Sequence, residues 1–319
     1  MSQQIIRYGL LGSMRTFETP TDWSGTEELE TTGLRRVEKH VSHDGALLAN
    51  RIAGIKQAFT VLADVSEATL MRTVNGAAAR ECTIFVPDNV HVTITETISG
   101  SGTFALATTL VIGKNASVTY RVLQQMSDTS IALLSHYAKL TDAKLSWLHC
   151  SVGSATTQAS VQTHCGANAA VTTDAVVVGS AQQQFDVHTL VYHNGKHSQS
   201  NMRTRCVLDG SARVTGHGLI HIAPDAFEVD SYEKLDALLL SPSASAQAIP
   251  NLEIHDYRVR CSHGASIGRL DEEKLFYLRS RGITQEQAKR MATEGFVGEL
   301  VPSAWLDVIR TKLGFQGDA

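Results

Sequence analysis

Toward the C-terminus of the 319-residue chain, Cys261 and His263 carry the sharpest chemistry. If Tyr257-Arg258-Val259-Arg260-Cys261-Ser262-His263 is a strand, alternation sends Tyr257, Val259, Cys261 and His263 to one face and Arg258, Arg260 and Ser262 to the other. A thiolate beside a neutral imidazole suits iron, zinc and iron–sulfur centres. The competing reading is a buried thiol next to a hydrogen-bonded core imidazole. Thirteen histidines are present, and His188, His193, His197, His217 and His221 fall close together. On a strand, His217 and His221 would share one face opposite Val214, Ile220 and Ile222 and point outward. A metal there needs three or four ligands from different coils, so surface histidines are expected. Asp225, Glu228 and Asp230 could supply the paired carboxylates of a β-helical polysaccharide-acting enzyme, but they share one polar turn, where acids are normally solvated. Phosphate-binding loops, His-Glu-x-x-His and the Gly-x-Ser-x-Gly elbow are all missing, so no enzyme is expected.

What positions these residues is a run of short strands. Between about Asp44 and Val229, Val/Ile/Thr/Leu segments such as Val90-His91-Val92-Thr93-Ile94-Thr95 and Ala175-Val176-Val177-Val178 alternate with Gly, Asn and Asp. Proline falls between runs, as at Pro87 and Pro224. A polar turn followed by Ala-x-apolar recurs at Asn115-Ala116, Asp142-Ala143 and Asn168-Ala169, with echoes at Ser211-Ala212 and Gly264-Ala265. Near-constant spacing points to stacked coils, best met by a parallel β-helix, a β-solenoid; a sandwich or jelly roll shares the alternating pattern. An aromatic content of 6% fits a narrow interior lined by Val, Ile, Ala and Thr.

The last fifty or so residues change period. Asp271 can cap a helix through Leu275, Phe276 and Leu278 that ends at Gly282. Thr284-Gln285-Glu286-Gln287 has the form of a capping box, with Ala288, Met291 and Ala292 as the apolar stripe before Gly295. A third helix from Ser303 would gather Trp305, Leu306, Ile309 and Leu313. The division expected is a short N-terminal segment (1–43), a β-helix core (44–268) and a C-terminal helical subdomain (269–319). The mixed charges Glu27, Glu28, Glu30, Arg35, Arg36 and Lys39 suggest a solvated face or loop.

Composition narrows the partners. Lys and Arg total 28 against 32 Asp and Glu, a net charge of −4 without a basic block, so nucleic acid is not an expected partner. No apolar run is long enough to span a bilayer, and the first residues lack the apolar centre of a signal peptide; a cytoplasmic protein without membrane contact is expected. Five dispersed cysteines without Cys-x-x-Cys argue against a disulfide framework or a locally spaced zinc site.

The stretch from Gln247 to Ile283 carries Gln-Ala-Ile-Pro-Asn-Leu-Glu-Ile, Cys-Ser-His-Gly-Ala-Ser-Ile-Gly-Arg-Leu-Asp and Leu-Phe-Tyr-Leu-Arg-Ser-Arg-Gly-Ile. It closely resembles the SufB/SufD family of iron–sulfur cluster assembly scaffolds, over roughly residues 188–301. The resemblance implies a right-handed parallel β-helix with a C-terminal α-helical subdomain. It also implies a SufB-like partner joined through the β-helices, and a SufC-like ABC-type ATPase docked on the helices around Leu275, Phe276, Tyr277, Arg279, Arg281 and Gly282. A cysteine desulfurase system would work alongside, and an iron–sulfur cluster would be held transiently at the subunit interface. Ser262-His263-Gly264-Ala265 looks like the SufD pattern, whereas SufB-type chains have Glu after the histidine. Aligned from Leu238-Leu239-Leu240, the SufB cysteine would fall near Leu235, where this chain has no thiol. The resemblance therefore makes His263, with Cys261 beside it, the candidate cluster or iron ligand opposite a partner's cysteine. Longer SufD members carry a helical domain ahead of the β-helix where this chain has about forty residues, and a stand-alone homodimer is the alternative assembly.

Overall fold

The computed structural model describes residues 4–8, 15–19, 24–37, 57–270 and 272–315. Gln4–Tyr8 (β1) and Arg15–Thr19 (β2) form a separate antiparallel pair. Thr26–Thr32 (β3), Arg35–Val37 (β4) and Gln57–Leu62 (β5) lead to two long strands, Glu67–Val86 (β6) and His91–Ile112 (β7). The remaining strands are Ser117–Gln124 (β8), Ile131–Leu140 (β9), Lys144–Ser151 (β10), Thr156–Cys165 (β11), Ala170–Gly179 (β12), Gln184–His193 (β13), Gln199–Leu208 (β14), Arg213–Ile222 (β15), Asp230–Leu239 (β16), Ser245–Ile254 (β17) and Arg260–Arg269 (β18). From β7 onward each strand pairs in parallel with the strand two places away, giving one ladder β8-β10-β12-β14-β16-β18 and another β9-β11-β13-β15-β17. This is a parallel β-solenoid of about seven turns.

Turn chemistry sets the coil length. Asn89, Asn115, Asp142 and Asn168 adopt left-handed backbone with φ of 62°, 55°, 51° and 55°. Asn and Asp tolerate that region better than other side-chain-bearing residues. Their side chains also stack from coil to coil: Asn115 Nδ2 donates to Asn89 Oδ1 (3.3 Å) and Asn168 Nδ2 to Asp142 Oδ1 (2.8 Å). The alanine after the turn, Ala116, Ala143 or Ala169, tucks into the core and the next strand begins one residue later. Of the later echoes, Ser211-Ala212 marks a turn before β15, on the other ladder, whereas Gly264-Ala265 lies within β18 and marks no turn.

Strands β6 and β7 each run across two faces of the solenoid and bend at glycines. Gly100 and Gly102 have φ of 99° and 119°. A Cβ on Gly102 would stand 1.9 Å from the Gly76 carbonyl oxygen, so only glycine permits the two bends to stack.

The interior is less exclusively small than expected. Trp147, Tyr120, Phe104 and Phe185 are fully buried, with Tyr120 and Trp147 meeting edge to face at 5.3 Å between centroids. The segment expected to be a solvated face or loop contributes β3, antiparallel to β6; Leu29 packs on the core and Glu27 turns inward, while Glu28 and Glu30 form an exposed face. Pro250 lies inside β17, which tolerates it as an edge strand.

Glu272–Ser280 (α1), Gln285–Val297 (α2) and Ser303–Lys312 (α3) follow β18. Asp271, expected to cap α1, lies outside the described residues. Gly282 ends α1 with φ of 87°, and the Ile283 amide bonds back to the Leu278 carbonyl. The capping box forms: Gln287 N–H donates to Thr284 Oγ1 (3.1 Å) and Thr284 N–H to Gln287 Oε1 (2.9 Å). Helix α2 runs through Gly295 to Val297, and its buried residues are Ala288, Thr293 and Val297, with Met291 facing solvent. Val297, Trp305 and Ile309 cover Leu148, Cys150, Val176, Val178 and Val207 on the outward side of the even-numbered ladder. Each large apolar side chain buried there contributes about 1.5–3 kcal/mol. Among the described residues no helix is long and apolar enough to cross a membrane.

Candidate functional site

The solenoid ends at β17 and β18, whose outer edges carry no further strand among the described residues. On β16, Ser231, Glu233 and Leu235 point into the lumen and are almost fully buried. Cys261, His263 and Ala265 stand in register with them one coil later. Residues in register on parallel strands share a face, so Cys261 and His263 turn the same way, but among the described residues no further coil stands above them. Cys261 is half-buried against the core, and His263 is exposed. Val259 also packs on the core, whereas Tyr257 precedes the strand and is 93% exposed, which removes it from the shared face expected from alternation.

A polar chain leads to this mouth. His193 bonds Ser198 Oγ through Nδ1 (2.7 Å) and Ser200 Oγ through Nε2 (3.0 Å), and Ser200 Oγ meets Ser231 Oγ at 2.6 Å. Burial, with His221 nearby, lowers the His193 pKa to about 4, so the imidazole is neutral and can pass hydrogen bonds in either direction. Glu233 lies beside this chain. Its carboxyl sits over Gly218, where a Cβ would collide with it, and among the described residues neither oxygen has a hydrogen-bond partner. Burial pushes its pKa up to about 8.

The five cysteines are all free thiols. Burial pushes Cys82, Cys150, Cys165 and Cys206 up to about 12, which makes them inert core residues. Cys261 alone is partly open; burial first, then Glu233, raises it to about 11, so at neutral pH it needs a metal or a base to become a thiolate.

The other sequence candidates separate clearly. Asp225, Glu228 and Asp230 are exposed, Glu228 pairing with His197 and Asp230 with Arg260, and they form no acidic cleft. Near α1, Phe276 and Tyr277 are 75% and 58% exposed, Arg279, Arg281 and Gly282 are exposed, and Leu275 is half-buried. The Arg281 guanidinium lies 5.3 Å from the centroid of the Tyr277 ring. Outward-pointing His217 is not on the surface: it is buried, as is His188, and both imidazoles face the Asp186 carboxylate. Sequence reading passed over Asp186 and Glu233. The available signal was the coil period, which sets His188 beside His217 and Glu233 beside His263.

The family model described as the SUF system FeS cluster assembly SufBD core domain matches residues 69–296. An iron–sulfur cluster assembly SufBD family protein of Mycobacterium leprae is 31% identical over 227 residues, covering 67% of this chain and 57% of the relative. The SufD protein of Escherichia coli is 33% identical over 135 residues, 42% of this chain and 32% of its own length. That of Bacillus subtilis is 30% identical over 213 residues, 66% and 49%. The chain thus spans between about a third and somewhat over half of the length of these relatives. A solenoid with a Cys–His pair at its open end and a helical cap, matched over most of its coils by this core domain, belongs to the SufBD family of iron–sulfur cluster assembly proteins.

Proposed function

We propose that this chain is a SufD-like scaffold subunit, which pairs with a SufB-like chain through its open β-helix end and carries a SufC-like ATPase on its helices. The carrying observation is that His263 and Cys261 stand on an uncapped edge strand, on the lumen-facing side of the last coil. An edge strand with free N–H and C=O groups pairs readily with a second chain, and strand addition would set the two residues at the junction. The absence of a cysteine at Leu235 and the Gly264 that follows His263 support the SufD-like assignment over a SufB-like one. In this reading the nascent cluster is cargo, His263 is its imidazole ligand, and sulfur arrives from a cysteine desulfurase system. The chain itself performs no catalysis.

Reconstitution with SufB-like and SufC-like partners tests this. His263→Ala should lower cluster yield several-fold, read from the visible absorption of the complex, while complex formation by gel filtration is unchanged. Unchanged yield would exclude His263 as a ligand. For ATPase docking, Phe276 and Tyr277 present apolar area that water does not favour, flanked by Arg279 and Arg281. Phe276→Asp should abolish ATPase copurification and leave the melting temperature unchanged, because Phe276 contributes nothing to the core; retained binding would place the dock elsewhere.

A further inference from the structure

We propose that Asp186, His188 and His217 form a binding site for one divalent first-row transition ion, iron(II) or zinc(II), separate from the Cys261–His263 mouth. Asp186 and His188 lie two residues apart on β13 and so share a face, and His217 is the residue in register with His188 on β15. The three donor atoms fall within 4.8 Å of one another, and all three residues are buried. His188 Nε2 is 3.0 Å and His217 Nε2 3.6 Å from Asp186 Oδ1. With metal–ligand bonds of about 2.0–2.1 Å, tetrahedral ligands stand about 3.3 Å apart. The two observed spacings bracket that value.

The electrostatics call for a cation. Asp186 is 2% exposed, and among the described residues neither of its oxygens accepts a well-directed hydrogen bond. A buried carboxylate without donors is costly unless it is paired with positive charge. The neighbours in register with Asp186 are Gln158 on β11 and Thr215 on β15, both neutral. The two imidazoles are stacked, with centroids 4.4 Å apart and planes 8° from parallel. Protonating both would place two like charges face to face. One metal ion between the three donors instead neutralises the carboxylate and uses both imidazoles uncharged. Two histidines with one carboxylate is a donor set that suits iron(II) with open positions and zinc(II) with a water completing its shell.

The site is distinct from the mouth. Phe185, Val187 and Val191 belong to the packed core clusters, so the alternate residues Asp186 and His188 lie on the opposite side of the ladder. Cys261 and His263 belong to the other ladder and face the lumen. Because the ligands come from rigid neighbouring strands, the geometry is set before the ion arrives.

The test uses the full chain, stripped with chelator and titrated anaerobically with iron(II) or, in a second arm, zinc(II) alone. One ion per chain should be retained after desalting, by elemental analysis, and the retained ion should raise the melting temperature. Asp186→Asn, which keeps volume and shape, should weaken retention at least about tenfold, as should His217→Gln. His263→Ala should keep the ion. The arm with the tighter retention identifies the metal. Folding of each variant is read by circular dichroism; no ion retained by the wild type, or one lost equally in His263→Ala, overturns the proposal.

Discussion

Arg72→Met should destabilise the solenoid by about 3–5 kcal/mol in denaturant titrations, the cost of stranding a buried carboxylate. Arg72 is fully buried on β6, with Nε 2.5 Å from Glu96 Oε1, and it also pairs with Glu27. Glu27 is held in turn by Arg80 (2.8 Å), and Glu96 Oε2 accepts from the Tyr120 hydroxyl at 2.8 Å. Burial alone would raise the Glu96 pKa, but Arg72 and then His136 overcome it and hold the group near 2, against 4.5 when unperturbed. A carboxylate lowered by folding adds stability that is complete above its unfolded pKa and is lost as pH falls through the folded one. Wild type should therefore lose stability steeply between pH 4.5 and 2, and Arg72→Met should flatten that limb. The double variant Arg72→Met/Glu96→Gln should be more stable than Arg72→Met alone, because it removes the buried charge together with its partner. A single variant as stable as wild type would mean that water reaches Glu96.

Which features were legible in the sequence follows from range. The stacked coils were, because a left-handed Asn or Asp followed by a small buried residue is a local signature repeated at Asn115, Asp142 and Asn168. The repeat faded further on because His197 and Glu228 take the left-handed corner instead, with φ of 58° and 55°. Glutamate does not announce that conformation, and histidine does so less specifically than the Asn or Asp of the earlier turns. The capping box and the glycine stop of α1 were readable for the same local reason. Interior polar groups were not. Glu27 sits among exposed acids in sequence, and only its antiparallel pairing with β6 brings it onto Arg72 and Arg80. Likewise His217 was assigned the outward side of its strand, which holds, but outward is not exposed when that side is covered. The direction of a side chain follows from alternation; its burial depends on what packs over it.

Glu233→Gln is expected to be the opposite case, a stabilising change at the open end of the fold. Glu233 is 1% exposed, has no hydrogen-bond partner for either oxygen, and is raised by burial from 4.5 to about 8. In the native state it therefore keeps its proton where the unfolded chain has released it. Between pH 4.5 and 8 the folded state binds more protons than the unfolded one, so stability falls as pH rises, and the loss is complete above pH 8. Each pKa step is worth about 1.4 kcal/mol, so at pH 9 the carboxylate costs about 3–5 kcal/mol that glutamine would not. Denaturant midpoints from pH 5 to 9 should converge at the acid end and separate steadily with rising pH, the variant being the more stable. Parallel curves would show that Glu233 is ionised and compensated in the folded protein. The residue stands in register with His263 and raises the pKa of the Cys261 thiol, so its proton occupies the place a cation would take. A cation delivered to this mouth would expel that proton, which makes binding there stronger as pH rises. In the reading proposed above, a buried acid that weakens the fold is a cost accepted for the site, and in an Asp186→Asn background, which removes the outward donor group, iron(II) should shrink the pH-dependent gap between the chain with Glu233 and the one with Glu233→Gln.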